Sequence, residues 1–149
     1  MQQLGEYKFL KVSFESKVDW CQTEDYLHCD PTFHGQPQYD CVLVDANPKP
    51  FFAQLLYTFA CNIENVTYGF ALISPFNYYS GPCCEKDRDL QFLRLQASPA
   101  NYSIFISLRS IIRGALIMPD SEKSGDFLVI KEVDSDMFLH IQELETKIR

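Results

Sequence analysis

The chain has 149 residues, 46% of them hydrophobic and 14% aromatic, with a formal net charge of −7. That is too apolar for a disordered chain, and the length suits one domain with a sizeable core. The acidic balance disfavours direct binding of a nucleic-acid backbone or an anionic membrane surface; it is compatible with a basic or neutral protein partner, but keeping the module soluble is explanation enough.

Residues 1–8 lack the apolar core and small residues of a signal peptide, and no apolar run reaches membrane-spanning length. The expected compartment is intracellular, with reduced thiols for the six cysteines. Residues 7–14 alternate: Leu10, Val12 and Phe14 share one face, while Lys11, Ser13 and Glu15 share the other, as in a half-buried strand. Residues 19–37 mix polar and aromatic side chains with Pro31, Gly35 and Pro37, and are expected as a long ordered loop with a short helical turn. A second strand is expected over 39–44, ending at Asn47, Pro48, Lys49 and Pro50. The third is long, from Phe51 to Cys61 with Phe51, Ala53, Leu55, Tyr57, Phe59 and Cys61 on one face. A turn at 62–65 leads to a fourth strand through Val66, Tyr68, Phe70 and Leu72, completing a β-hairpin.

Residues 75–88 read as loop, 90–95 as a fifth strand and 98–101 as a turn. Ile104 to Ser107 predicts a short strand, 108–113 a helical turn closed by Gly114, and 115–118 another strand; one amphipathic helix is the alternative for this stretch. A polar loop over 120–125 precedes a strand over 127–133. Asp134, Ser135 and Asp136 are placed to cap a C-terminal helix from Met137 to about Thr146, although 139–141 could extend the sheet. The pattern predicts a single mainly-β domain over 1–149: an opening strand and ordered loop over 1–37, then a small rolled sheet or barrel over 38–141.

Several residue groups have the chemistry for a site. Cys21, His28, Cys29 and His34 are all possible zinc ligands, but lack the paired short spacing of structural zinc sites; ordinary loop histidines and small apolar thiols explain them better. Cys29 or Cys41 with His34 or His140 supplies the residue types of a thiol nucleophile without any surrounding signature. The acidic pairs Glu24 with Asp25, Asp87 with Asp89, and Asp134 with Asp136 read as caps or solvated faces. Lys86, Arg88, Arg94, Arg109 and Arg113 form a mid-chain cluster of cations that either converge on an acidic ligand or balance neighbouring acids. Trp20, Tyr26, Phe33, Tyr78 and Tyr79 are aromatics outside the expected strands, suited to an interface or to plugging barrel ends.

The runs Tyr39-Asp40-Cys41-Val42-Leu43-Val44, Phe52-Ala53-Gln54-Leu55, Ile104-Phe105-Ile106-Ser107, Ser110-Ile111-Ile112-Arg113-Gly114 and Asp134-Ser135-Asp136-Met137-Phe138-Leu139 resemble a module of long proteins from mushroom-forming (basidiomycete) fungi, found near transposase-like genes of the KDZ or Plavaka type. The resemblance spans residues 7–141 and implies no activity. The order of elements, with 104–107 leading into 110–114, is also similar to a bromo-adjacent homology domain, a chromatin and protein interaction module related in shape to SH3-like barrels. The chain departs from that family in its long segment 7–37 and in lacking an evident aromatic cage.

The resemblance implies a non-catalytic, nuclear protein-interaction module without a cofactor, whose partner is a chromatin or transposase protein. Trp20, Tyr26, Tyr78, Tyr79, Arg109 and Arg113 are the candidate contacts. An accessory hydrolase or nuclease, and a structural dimerisation module, are the alternatives.

Overall fold

The computed structural model describes residues 3–33, 36–82, 85–90, 92–99, 102–131 and 134–148. Among the described residues, twelve strands and two α-helices make up the fold. In chain order the strands are β1 (Gln3–Tyr7), β2 (Phe9–Glu15), β3 (Gln22–Phe33), β4 (Gln36–Tyr39), β5 (Cys41–Val44), β6 (Phe51–Ile63), β7 (Val66–Tyr78), β8 (Leu93–Ala97), β9 (Ile104–Ser107), β10 (Ile111–Ala115), β11 (Ile117–Pro119) and β12 (Asp126–Val129). The helices are α1 (Glu85–Asp89) and α2 (Ser135–Ile148).

The larger sheet runs β10-β5-β6-β7-β8-β12-β11, with β1 added to β6 and β9 added to β7. Its two end strands, β10 and β11, are separated in sequence only by Leu116. The chain bends there, pairs β5 before the bend and β12 after it, and so nearly closes the sheet into a barrel. This is the mainly-β rolled sheet with a C-terminal helix that the hydrophobic pattern predicts. The second sheet, β2-β3-β4, packs across the outside of β5, β6, β7 and β10.

Two apolar clusters result. Val12, Leu27 and Cys29 of the small sheet bury against Val42, Val44, Ala53, Leu55, Ala71, Ile73 and Ile111. On the opposite faces of β5 and β6, Leu43 and Phe52 meet Leu95, Val129 and the α2 residues Met137, Ile141 and Leu144. The helix therefore contributes positions i, i+4 and i+7, one face of a 3.6-residue period. Its start is fixed as expected: the Met137 amide donates to Asp134 Oδ1 at 2.8 Å.

The expected loop over 19–37 is instead a hairpin partner. β3 pairs with β2 from Phe9↔His28 to Glu15↔Gln22, and then with β4. Period-two alternation is present, since Leu27 and Cys29 are buried between Tyr26 and His28. It is disguised because polar Asp25 takes an inward position and aromatic Tyr26 an outward one. The single strand expected over 39–44 is split at Asp40: Tyr39 pairs Cys29 in the small sheet, and Cys41 pairs Gln54 in the barrel. The Asp40 amide donates to His28 O and its carbonyl accepts from the Leu55 amide, both at 2.9 Å, so one residue stitches the two sheets together.

β6 also departs from simple alternation. Its pairing with β7 slips between Leu55 and Tyr57, which oppose Ile73 and Leu72. This bulge reverses the face of every later residue. Thr58, expected on the face opposite Leu55, is therefore buried with the first cluster and donates to Tyr7 O at 2.6 Å. Glu64 and Asn65 form the hairpin turn at φ 51° and 67°, the positive pair that a tight two-residue turn requires.

β7 continues through Pro75 to Tyr78, where a loop was expected. Its outer edge pairs β9 from Phe70 to Ile73 and β8 from Phe76 to Tyr78, and Pro75 falls at the joint between them. β8 begins at Leu93 and not at residue 90, because Lys86 O and Asp87 O of α1 accept the amides of Leu90 and Phe92. Over 104–118 the strand–turn–strand order is right but its bounds are corrected: the turn is a 3₁₀ turn over Leu108–Ser110 alone, residues 111–113 and Gly114 belong to β10, and the strand expected over 115–118 is broken at Leu116. The final strand is β12, shorter than expected; Glu132 and Val133 lie outside the described residues.

Candidate binding cleft at the seam of the two sheets

Strands that change sheets leave backbone amides without ladder partners, and buried amides need acceptors. At this seam aspartates supply them. Asp40 Oδ2 accepts the His28 amide at 2.8 Å, and Asp25 Oδ2 accepts the Gly114 amide at 2.8 Å. Gly114 is required by close approach: a Cβ there would lie 2.7 Å from Leu27 Cδ2 and 3.2 Å from Asp25 Oδ2. The missing side chain lets β3 and β10 draw together beneath an open cleft of about 270 Å³. Asp25, Tyr26, Asp40, Arg113, Leu116 and Asp134 are among its walls.

Arg113 anchors one side. It is 4% exposed, its Nη1 and Nη2 bond Asp134 Oδ1 and Oδ2 at 2.9 and 2.7 Å, and Nη1 also reaches Asp136 Oδ2 at 2.8 Å. Nε donates to Gly114 O at 3.1 Å and stands 3.8 Å from Asp25 Oδ2, while the Phe14 ring lies 4.8 Å from the guanidinium carbon. Burial disfavours this cation, but the bonds from Asp134 and Asp136 more than offset that, so its pKa rises. Arg113 in turn holds the Asp134 carboxyl below its ordinary range, against the opposing effect of burial.

The cleft retains negative charge. Asp25, Asp134 and the buried Asp136 gather around one guanidinium, and Asp40, which also lines the cleft, lies 3.3 Å from the His28 imidazole. Asp136 is further engaged from behind by the Lys17 amide at 2.6 Å, and the buried His140 Nε2 lies 3.2 Å from its Oδ2 without a hydrogen bond. Burial pushes His140 below its ordinary pKa, despite the nearby Asp136 charge. The Asp25, Asp40 and Asp134 side chains are 24%, 29% and 45% exposed, so solvent and a ligand can both reach them.

Of the six candidate contacts, the structure brings Tyr26 and Arg113 together here. Tyr26 is exposed and stacks on Phe9 at 5.6 Å, forming an aromatic wall; Arg113 is enclosed and positions the aspartates. Trp20 stands at the tip of the β2–β3 connection, 71% exposed with φ 61°. Tyr78 lines a different cleft of about 440 Å³ with Phe51, Phe76, Tyr102 and Lys49. Its hydroxyl donates to Pro50 O at 2.5 Å, and burial raises its pKa to about 12. Tyr79 lies near Arg94 and Lys123, and Arg109 is exposed in the 3₁₀ turn.

The mid-chain cations divide among acids. Arg94 bonds Asp87 at 2.7 and 2.9 Å, Asp120 at 2.7 Å and Asp126 at 2.9 Å, tying α1 to the loop before β12. The Glu122 amide and Arg94 hold Asp120 at about 2. Lys86 pairs with Asp120 and Glu122 at 3.4 and 3.3 Å.

The possible metal ligands are also dispersed. Cys29 points inward, 3.5 Å from Thr58 Oγ1, while adjacent His28 faces the other way, Cys21 is exposed, and His34 lies outside the described residues. Among the described residues no group of three or more His, Cys, Asp or Glu side chains is arranged to hold a metal ion. Burial raises the Cys29 thiol and pushes Cys41 to about 12, so neither is activated as a thiolate.

Asp25 and Asp40 were not legible as site residues. The available signals were an isolated acid interrupting the apolar run at Asp40, and a glycine inside a strand at Gly114. Comparison with family models, with curated proteins and with solved structures returns no match.

Proposed function

We propose that the chain is a non-catalytic protein-interaction module whose seam cleft takes a Lys or Arg side chain from a basic segment of its partner. The observation that carries this reading is that Asp25, Asp134 and Asp136 share the one Arg113 guanidinium at a cleft open to solvent, with Asp40 and Tyr26 among its lining residues. Carboxylates attract the cation, and an aromatic wall adds about 0.5–1 kcal/mol at an exposed site. The cleft, at about 270 Å³, has room for one long side chain and not for a drug-sized ligand. Commitment of Arg94, Arg113 and Lys86 to aspartates supports recognition of a basic protein over direct recognition of phosphates.

A chromatin- or transposase-associated setting in the nucleus fits this chemistry, because basic tails bound to nucleic acid are abundant there. The test is fluorescence anisotropy with a labelled Lys/Arg-rich peptide and its Glu-substituted counterpart, at low and moderate salt. The basic peptide alone should bind, more weakly as salt rises, and Asp40→Asn should weaken it about fivefold, the equivalent of roughly 1 kcal/mol at a partly exposed charge. Equal affinity of the parent and Asp40→Asn, or no preference between the two peptides, would sink the proposal.

A further inference from the structure

Beyond the bulge at Leu56, the β6–β7 hairpin extends past the barrel and presents one face that no other element among the described residues covers. Tyr57, Phe59, Cys61 and Ile63 oppose Leu72, Phe70, Tyr68 and Val66 in register, and Phe105 of β9 lies beside Leu72. Their rings touch: Phe59 lies 5.7 Å from Tyr57, 5.5 Å from Phe70 and 5.8 Å edge-on from Phe105. Yet Phe105 is 66% exposed, Val66 50%, Tyr68 45% and Ile63 40%. The other face of the same hairpin is covered, since Thr58, Ala71 and Ile73 are buried towards the small sheet. An open row of aromatics this size is unusual on a protein that functions alone.

We infer that this face is the interface of a homodimer, with a second copy of the chain packed on it about a two-fold axis. Charge argues for that occupant. The nine side chains of β6, β7 and β9 include no carboxylate or cation in a chain of net charge −7. The charged position in register beside them is Glu6 of β1, opposite Phe59, so two mutually repelling copies can approach over the β7 and β9 side of the face. A basic segment of the kind suited to the seam cleft would find no countercharge here. Shape argues the same way, because rows of rings are self-complementary: edge-to-face and offset-stacked contacts pair like with like, as a two-fold interface demands. Taking about 150–250 Å² for a whole aromatic side chain, the face offers on the order of 500 Å². A pair of copies would bury about 1,000 Å², the lower bound of a specific interface. The dimer is therefore weak, with a dissociation constant on the order of 10–100 µM.

Sedimentation equilibrium of the whole chain from about 5 to 500 µM tests this. The average mass should climb from monomer towards dimer across that range. Phe105→Asp and Tyr68→Glu should each raise the dissociation constant at least tenfold, with circular dichroism unchanged because both side chains are largely exposed. Val18→Asp, at an exposed position in the β2–β3 connection, should associate as the parent does. A parent that stays monomeric throughout overturns the inference, even if the face proves to bind an apolar peptide. So does self-association that both hairpin-face variants leave intact.

Discussion

Replacing Arg113 by Met removes the cation that Asp25, Asp134 and Asp136 share while roughly keeping the packed volume. The side chain is 5% exposed and makes three charge-assisted bonds, two to Asp134 and one to Asp136, itself only 7% exposed. Breaking a buried pair by deleting one partner strands the other charge, which costs about 3–5 kcal/mol. A domain of this size loses about 3 °C of melting temperature per kcal/mol, so thermal unfolding at pH 7 should move down by roughly 10–15 °C. Arg113→Lys, keeping the charge but losing the two-pronged fit to Asp134, should fall between parent and Met. The pH dependence has a definite sign. Asp134 sits below its unfolded pKa, so its contribution is complete above about pH 4 and is lost as the pH falls through the lowered native value. Without Arg113 that limb should disappear, and the gap between parent and Met variant should narrow in acid. A Met variant within about 0.5 kcal/mol of the parent at pH 7, by urea unfolding, would refute the reasoning.

Asp25 separates structural duty from charge: Asp25→Ala orphans the Gly114 amide and should cost about 1–3 kcal/mol in urea unfolding, whereas Asp25→Asn should cost less, since it keeps an acceptor, while still weakening a basic peptide in the anisotropy assay. His140 is held neutral by burial amid Asp136, Lys17, Arg113 and Glu143, so the unfolded chain binds more protons below about pH 6.5. Urea unfolding should show stability falling from pH 7.5 to 5.5, and a flatter slope in His140→Gln; an unchanged slope would remove His140 as the cause. Thiol labelling of the native chain at pH 7.5 should modify exposed Cys21 and spare Cys29 and Cys41 until denaturant is added, as read by peptide mass. Rapid native labelling of Cys41 would contradict its enclosure.

β2 and the capped helix α2 were legible because one face is apolar and the other polar, whereas the β6–β7 hairpin and β9 were legible as β-branched and aromatic runs bounded by turn residues. β3 was hidden because its inward Asp25 serves the Gly114 amide and its outward Tyr26 forms a surface wall, inverting the usual polarity. The bulge at Leu56 was hidden because both faces of β6 are apolar, so a one-residue slip leaves no mark in hydropathy. The candidate site suffered from the same ambiguity. Tyr26 and Arg113 drew notice as an aromatic and a cation, but in a chain of 20 acidic residues nothing distinguishes Asp25 and Asp40 from solvated surface.

The place of the cleft follows from connectivity more than from any motif. Two chain crossings meet there: Asp40, where the chain leaves the small sheet for the barrel, and the Gly114–Leu116 segment, where β10 bends into β11 and nearly closes it. Neither crossing can satisfy its backbone from a regular ladder, so each draws in a carboxylate. The entry of α2 beside them adds Asp134 and Asp136, which cap the helix and anchor it to β10 through Arg113. One arginine is enough to hold these elements in register but too few to neutralise the three acids around it, Asp25, Asp134 and Asp136. The residual charge is thus a by-product of closing the fold, and a partner with a basic side chain is the simplest way to use it. The aromatic face has the corresponding origin: once the bulge turns the hairpin's rings away from the small sheet, no remaining segment among the described residues lies over them, which leaves the face to the second copy inferred above.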